Sequence, residues 1–248
     1  LTTYPDHFHP IHLDRCASTN EYIKQNLARL EDDFPLVVSA SAQSSGRGRD
    51  GRSWFSAPAR GIYVTFAFSL GDSSGLPLLS IAAGIAVADM LQRWTHREFA
   101  LKWPNDILAA GKKIAGILCE SMIASDKVTC LVGIGINANQ QDGDFPMELR
   151  ARAGSLRQLT GAEWPLAEGR ERLAASMALW LRRLGSDRAA VLEQARCLSR
   201  PFLKQEIEFH HQGQIVRGLF CGLAEDGGLL LETADKEKKV YYSGEIIV

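Results

Sequence analysis

The stretch that could do chemistry is Gln43-Ser44-Ser45-Gly46-Arg47-Gly48-Arg49-Asp50-Gly51-Arg52-Ser53-Trp54. Three arginines alternate with three glycines, and an indole closes the run. Glycine lets an anion come close to peptide N–H groups. Arginine supplies a planar, permanently charged donor fork suited to carboxylate and phosphate. Cations this close repel one another unless an anion joins them. The loop therefore reads as mobile when empty and ordered around a phosphorylated ligand. A solvated basic surface loop is the plain alternative, and the loop alone does not separate the two. The literal Gly46-x-Gly48-x-x-Gly51 also matches the dinucleotide fingerprint, but that motif needs a helix straight after its glycines. Here Pro58 and Gly61 follow closely and argue against one.

Three other stretches carry candidate chemistry. Ser18-Thr19-Asn20-Glu21 reads as a helix start, with Ser18 or Thr19 as cap and Tyr22, Ile23, Leu27 and Leu30 at helical spacing. Its hydroxyls and amide either cap the helix or face a ligand beside it. Lys102-Trp103-Pro104-Asn105-Asp106 ends a short strand at Trp103, because Pro104 cannot continue it, and places Asn105-Asp106 in a turn. Gly111-Lys112-Lys113 leads into a strand from Ile114 to Glu120. Gly133 and Gly135 lie inside a further strand, 127–139, with Asn137 on the same face by two-residue alternation. Glycines there mark close approach by another group, or plain sheet packing. His7, His9 and His12 lie in a polar terminal segment without a ligand set at metal spacing.

The elements that must position these residues are legible in outline. Leu36–Ala40 and Ile62–Phe68 read as strands. After a Gly71–Gly75 turn, residues 77–95 form a helix apolar almost all round, as for burial against a sheet. Residues 140–162 read as irregular, and 165–184 and 186–197 as helices. After Pro201 come short strands at 206–210, 214–219, 228–232, 239–242 and 245–248, a small β-barrel-like unit. The expected division is 1–200 and 201–248.

The 248 residues are 46% hydrophobic and 23% charged, enough for a full core. A net charge of −1 gives no global attraction to nucleic acid, so anion binding must be local. The five cysteines form no C-x-x-C pair and read as thiols in a reduced, cytoplasmic setting. No apolar run reads as long enough to span a bilayer, and no signal peptide is apparent. The chain begins at Leu1 rather than methionine.

Four features stand in order: Ser18-Thr19-Asn20; Gln43 with the Gly46–Trp54 loop; Lys102-Trp103-Pro104-Asn105-Asp106 followed by Lys113-Ile114-Ala115-Gly116-Ile117-Leu118; and Gly133-Ile134-Gly135-Ile136-Asn137. Together they closely resemble the biotin protein ligases, over roughly 13–139. Ser243-Gly244-Glu245-Ile246 looks like that family's ending. The resemblance implies an α+β fold: a mixed, largely antiparallel sheet with packed helices, of the class II aminoacyl-tRNA synthetase-like kind. A small C-terminal SH3-like β-barrel would follow.

The resemblance also implies two half-reactions. Biotin and Mg²⁺-ATP give biotinyl-5′-AMP and pyrophosphate; a lysine of a biotin carboxyl carrier domain of acetyl-CoA carboxylase then takes the biotin. By motif position, Ser18, Thr19, Asn20 and Gln43 would hold the biotin head group. Arg47, Gly48 and Arg49 would close over carboxylate and phosphate. Lys113 would sit between those two anions, with Gly116 beside it. Arg52, Trp54, Asn105, Asp106 and Asn137 would face the nucleotide, Asp106 toward Mg²⁺. Lys102 would serve structure or phosphate, and Trp103 the core. Rival readings are a lipoate–protein ligase, a biotin-responsive repressor carrying a further upstream domain, and a biotin-binding module without chemistry. No nucleic acid or membrane partner is expected, and exposed strand edges would allow a homodimer.

Overall fold

The computed structural model describes residues 4–71, 73–124 and 127–247. Seven strands form the main sheet: β1 His9–Cys16, β2 Leu36–Gln43, β3 Gly61–Leu70, β4 Ala100–Lys102, β5 Asp106–Ala109, β6 Lys112–Ala124 and β7 Lys127–Asn137. Their order is β1-β2-β3-β7-β6-β5-β4. β1 and β2 are parallel, and every other pair is antiparallel. The sheet is thus mixed and largely antiparallel, as expected.

Two-residue alternation sorts the strands cleanly into faces. Ile62, Val64, Phe66 and Phe68 of β3, with Cys130, Val132, Ile134 and Ile136 of β7, point into the large core. That core is closed by α3 Leu76–Thr95, α5 Leu166–Ser186 and α6 Arg188–Ser199. The opposite face carries α1 Thr19–Gln25 and α2 Leu27–Leu30 over a smaller cluster of Ile23, Leu30, Leu36, Val38, Ala67 and Leu131. Thr65, Gly133 and Gly135 share that second face by alternation, so the sheet separates core from site.

α3 is the helix expected from its apolar circumference. By length and composition it could cross a membrane, contrary to the sequence reading that no run is long enough. Here it is a core helix, packed between the sheet and α5: Ser176 Oγ of α5 donates to the Ala86 carbonyl at 2.8 Å.

Other expectations are corrected. Residues 9–16 of the polar terminal segment form a strand that the sequence reading did not name; Leu1–Thr3 of that segment lie outside the described residues. Asp106 opens a strand, and only the residues before it turn. The 140–162 stretch contains α4 Leu156–Thr160, capped by Ser155 and ended by Gly161 at φ 77°.

The C-terminal strands are β8 Glu206–His211, β9 Gln214–Leu223, β10 Leu229–Thr233, β11 Lys238–Tyr241 and β12 Glu245–Ile247, in the order β11-β10-β9-β8-β12. Val248, expected to end the last strand, lies outside the described residues. The sheet is antiparallel, and among the described residues its two end strands do not pair with each other. Its Phe209, Phe220, Leu229 and Ile246 join the large core, and Trp103 Nε1 donates to the Gly227 carbonyl at 3.0 Å. Leu91 of α3 is fully buried in that shared core. Leu91→Ala should therefore cost about 2–5 kcal/mol in urea unfolding. A loss under about 1 kcal/mol would contradict the packing described.

Candidate active site

The site lies on the α1 face of the sheet, in a cavity of about 300 Å³. Its floor is two rows across β6 and β7. Gly133 and Leu118 are in register in one row, with Thr65 of β3 continuing it; Gly135 and Gly116 are in the next, with Tyr63 continuing it. The glycines make the depression. A Cβ on Gly133 would stand 2.3 Å from Asn20 Oδ1, and one on Gly135 2.4 Å from the Trp54 ring. Neither distance is tolerable, so Asn20 and Trp54 lie on bare backbone. This resolves both glycines as close-approach positions.

One end of the cavity is lined by neutral hydrogen-bonding side chains, backed by a Glu120–Lys24 ion pair that does not line it. Ser18 stands at the N-cap of α1 without a side-chain capping bond. Gln43 Oε1 instead accepts from the Thr19 backbone N–H at 2.8 Å, and Gln43 Nε2 donates to Ser56 Oγ at 2.8 Å. Thr65, fully buried, donates to Asn20 Oδ1 at 2.5 Å and lies 2.8 Å from the Thr19 hydroxyl. Asn20 Nδ2 donates to Glu120 Oε2 at 2.8 Å, and Lys24 Nζ donates to Glu120 Oε1 at 2.5 Å. These groups hold one another in fixed orientations, as polar groups must in a buried pocket.

The other end is cationic. Among the described residues, Arg47, Arg49, Arg52, Lys102, Lys113 and Arg152 line the cavity with the carboxylates Asp106 and Glu245. An excess of four positive charges in a concave site demands anionic ligand groups. The glycine–arginine loop is a small hairpin. Gly48 N–H donates to Arg52 O at 2.7 Å, Trp54 N–H donates to Gly46 O at 2.8 Å, and Arg47 bridges Ser53. No helix follows its glycines, in agreement with rejection of the dinucleotide motif.

Arg47 reaches Glu21 at 3.2 Å. Strand β12 and Gly244 just before it meet three of the other cations. Arg49 donates to the Gly244 carbonyl at 3.1 Å, Lys102 donates to the Ile246 carbonyl at 3.1 Å, and Arg52 Nη1 donates to Glu245 Oε2 at 2.5 Å.

Buried Asp106 and half-buried Lys113 are the charges at the centre. Lys113 Nζ lies 2.6 Å from Asp106 Oδ1 and 5.4 Å from the Trp54 ring centroid. That carboxylate oxygen has charge proximity without hydrogen-bond geometry. Lys102 approaches the other oxygen at 3.8 Å. Burial lowers the Lys102 pKa, and the Asp106 and Glu245 carboxylates oppose it. Asn105 accepts from Arg49 at 3.2 Å and donates to the Ile117 carbonyl at 2.8 Å. Asn137 donates to the carbonyls of Gly154 at 3.0 Å and Lys113 at 3.4 Å, so it clips the 140–154 loop onto the lysine strand.

The sequence profile of the biotin/lipoate A/B protein ligase family matches residues 13–137, half of the chain. The chain belongs to that family. The biotin protein ligase C terminal domain profile matches residues 202–248. The bifunctional ligase/repressor BirA of Bacillus subtilis is 31% identical over 242 residues, 94% of this chain and 72% of that protein. A biotin–[acetyl-CoA-carboxylase] ligase of Mycobacterium tuberculosis is 36% identical over 169 residues, 65% of this chain and 58% of that one. Among solved structures, biotin protein ligase from Aquifex aeolicus in complex with biotin and ATP matches with a TM-score of 0.82. Its identity is 29%, over 96% of this chain and 97% of that one.

For this member of the biotin/lipoate A/B protein ligase family, every sequence-predicted site residue lines the one cavity: Ser18, Thr19, Asn20, Gln43, Arg47, Gly48, Arg49, Arg52, Trp54, Asn105, Asp106, Lys113, Gly116 and Asn137. Trp103 is buried in the core as expected. The sequence reading missed Thr65, Ser56, Glu120, Arg152 and Glu245. Glu120 was within reach of it: alternation from Gly116 through Leu118 puts Glu120 on the site face.

Burial by itself would raise the Glu120 pKa. The Asn20 and Lys24 hydrogen bonds, with the charges of Lys24 and Arg47, outweigh that and hold it below its ordinary value of 4.5. A carboxyl lowered on folding stabilises the fold above its unfolded pKa and loses that contribution as pH falls through the folded value. The wild type should thus melt above Glu120→Gln near neutral pH, with the gap closing as the solution is acidified below the ordinary value of 4.5. A gap that does not change with pH would contradict this.

Proposed function

We propose that this protein joins biotin to ATP as biotinyl-5′-AMP and then passes the biotin to a lysine of a biotin carboxyl carrier domain. The observation that carries this reading is the two-ended cavity: a fixed neutral hydrogen-bond cluster at one end, a cationic basin at the other, and Lys113 between them. A ureido ring buried in the first end needs partners for both its N–H groups and its carbonyl. Thr19, Asn20 and Gln43 supply oriented donors and acceptors, with Ser18 beside them. The biotin carboxylate would then point toward the arginine loop. The Aquifex aeolicus structure, which holds biotin and ATP, supports a site of this kind.

The chemistry needs no protein nucleophile. The biotin carboxylate oxygen attacks the α-phosphorus, the bond to the bridging oxygen breaks, and pyrophosphate leaves with the electron pair. The protein must bring two anions together and neutralise the charge that grows on the phosphate oxygens. Lys113, already partnered by Asp106 and stacked by Trp54, is positioned to do this. Its attraction is greatest where the two anions meet, which favours the transition state over the separated ligands. Arg47, Gly48 and Arg49 would cover carboxylate and phosphate, with Arg52 and Trp54 on the nucleotide side.

Mg²⁺ enters as the counter-ion of ATP and so as part of the substrate. Asp106, the carboxylate expected to face it, is occupied by Lys113 and Lys102, and no step requires a bond from Asp106 to the metal. Asn105 and Asn137 have their amides committed to protein partners. They serve the nucleotide side by fixing Arg49 and the Lys113 strand. In the second step the carrier lysine, as free amine, attacks the acyl carbon and AMP leaves.

The direct test is Mg²⁺-dependent ATP–pyrophosphate exchange with biotin and, separately, with lipoate. Exchange with biotin alone supports the proposal; exchange with lipoate alone would replace the substrate. Lys113→Ala should retain a cooperative melt and lose exchange by about 10²–10³-fold, as for removal of a charge-stabilising donor. Normal exchange in that variant would refute the role of Lys113. Arg49→Ala should release preformed adenylate faster by roughly tenfold to a hundredfold, the size of one charged hydrogen bond. Rapid filtration of labelled adenylate measures it, and unchanged retention would remove Arg49 from loop closure.

A further inference from the structure

We propose that Glu120 is a positioning residue for ligand selection: its carboxylate sets which end of the Asn20 amide faces the cavity floor, so that Asn20 presents a carbonyl oxygen to an N–H donor of the ligand. The inference rests on the biotin reading above and assigns the polarity of that contact.

The two ends of an asparagine amide have nearly the same shape, and only their partners tell them apart. An ionised carboxylate has acceptors and no donor, so Glu120 must be met by the NH₂ end. Glu120 Oε2 accepts from Asn20 Nδ2 at 2.8 Å. The opposite end follows from this: the buried Thr65 hydroxyl could meet either end of the amide, and with Nδ2 held by Glu120 it donates to Asn20 Oδ1 at 2.5 Å. Oδ1 is also the atom that lies over the bare backbone of Gly133, where a Cβ would meet it at 2.3 Å. Gly133 lines the cavity, so the oxygen rests on its floor.

Glu120 is itself pinned. Its second oxygen accepts from Lys24 Nζ at 2.5 Å, and Lys24 lies one helical turn after Asn20 on α1. The carboxylate therefore grips α1 at two points, one in its first turn and one in its last. Glu120 does not line the cavity, so it acts through Asn20 and not on the ligand. A neutral glutamine at 120 would lack this selectivity. It could meet either end of the Asn20 amide with its own carbonyl or NH₂, and the carbonyl facing the ligand would be lost in part of the population.

The test is steady-state biotin-dependent ATP–pyrophosphate exchange on wild type, Glu120→Gln, Glu120→Asp and Lys24→Gln, with a melting curve for each. Glu120→Gln should raise the KM for biotin about tenfold, the order of one hydrogen bond to a charged group. Its KM for ATP and its kcat at saturating biotin should stay within about twofold. Glu120→Asp, which keeps the acceptor-only carboxylate, should recover part of the loss. Lys24→Gln, which frees the carboxylate to turn, should raise the KM for biotin by less than Glu120→Gln does. It also keeps the test decisive if Glu120→Gln does not fold. An unchanged KM for biotin in the folded variants, or equal losses in both KM values and kcat, would overturn the proposal. A wild type that does not exchange with biotin would overturn the functional reading and this inference with it. An active wild type with indifferent variants would overturn this inference alone.

Discussion

The site depends on a missing pair of side chains. At Gly133 and Gly135 the middle of a seven-stranded sheet has no Cβ, and Asn20 and Trp54 descend onto the backbone in that space. Any other residue at either position would push one of them off the floor. Glycine in a strand interior costs backbone entropy and packing. Here the cost is offset by a concave surface on an element buried on its other face by α3 and α5. A depression built into the centre of a sheet is more rigid than one built between loops, and the neutral hydrogen-bond cluster inherits that rigidity.

Charge is distributed over the depression by a different rule. Six cations meet two carboxylates along the cavity wall, and like charges gathered so closely are tolerable only with partners. Some partners are near in the chain and some far. Asp106 takes Lys113 and Lys102, Glu21 takes Arg47, and residues 244–246, at the start of β12, meet Arg49, Arg52 and Lys102. The C-terminal sheet thus completes the rim of a cavity whose floor lies in the main sheet. Its shared core with α3 and Trp103 holds it at the distance those contacts need.

Much of this was legible in the residues. The glycine–arginine alternation, the lysine after a hairpin and the spaced glycines mark a local demand that only an anion or a close approach satisfies. The strands, the buried helix and the late run of short strands follow from periodicity, and the resemblance to biotin protein ligases supplied the largely antiparallel sheet that joins them. The missed pieces were those without a local signature. Strand β1 alternates weakly and is a strand because β2 pairs with it. Strand β5, four residues long, exists through its pairing with β4 and β6.

The sequence by itself determined which residue types could do chemistry, because donor number, charge and backbone freedom are properties of single residues and short runs. The tertiary structure alone decided which amide end faces which partner and which cation is held by which carboxylate. Asn20 and Glu120 lie a hundred positions apart, and Arg52 and Glu245 nearly two hundred. Only strand register and the closure of one core bring them within hydrogen-bond reach, and no local pattern in the chain encodes those distances.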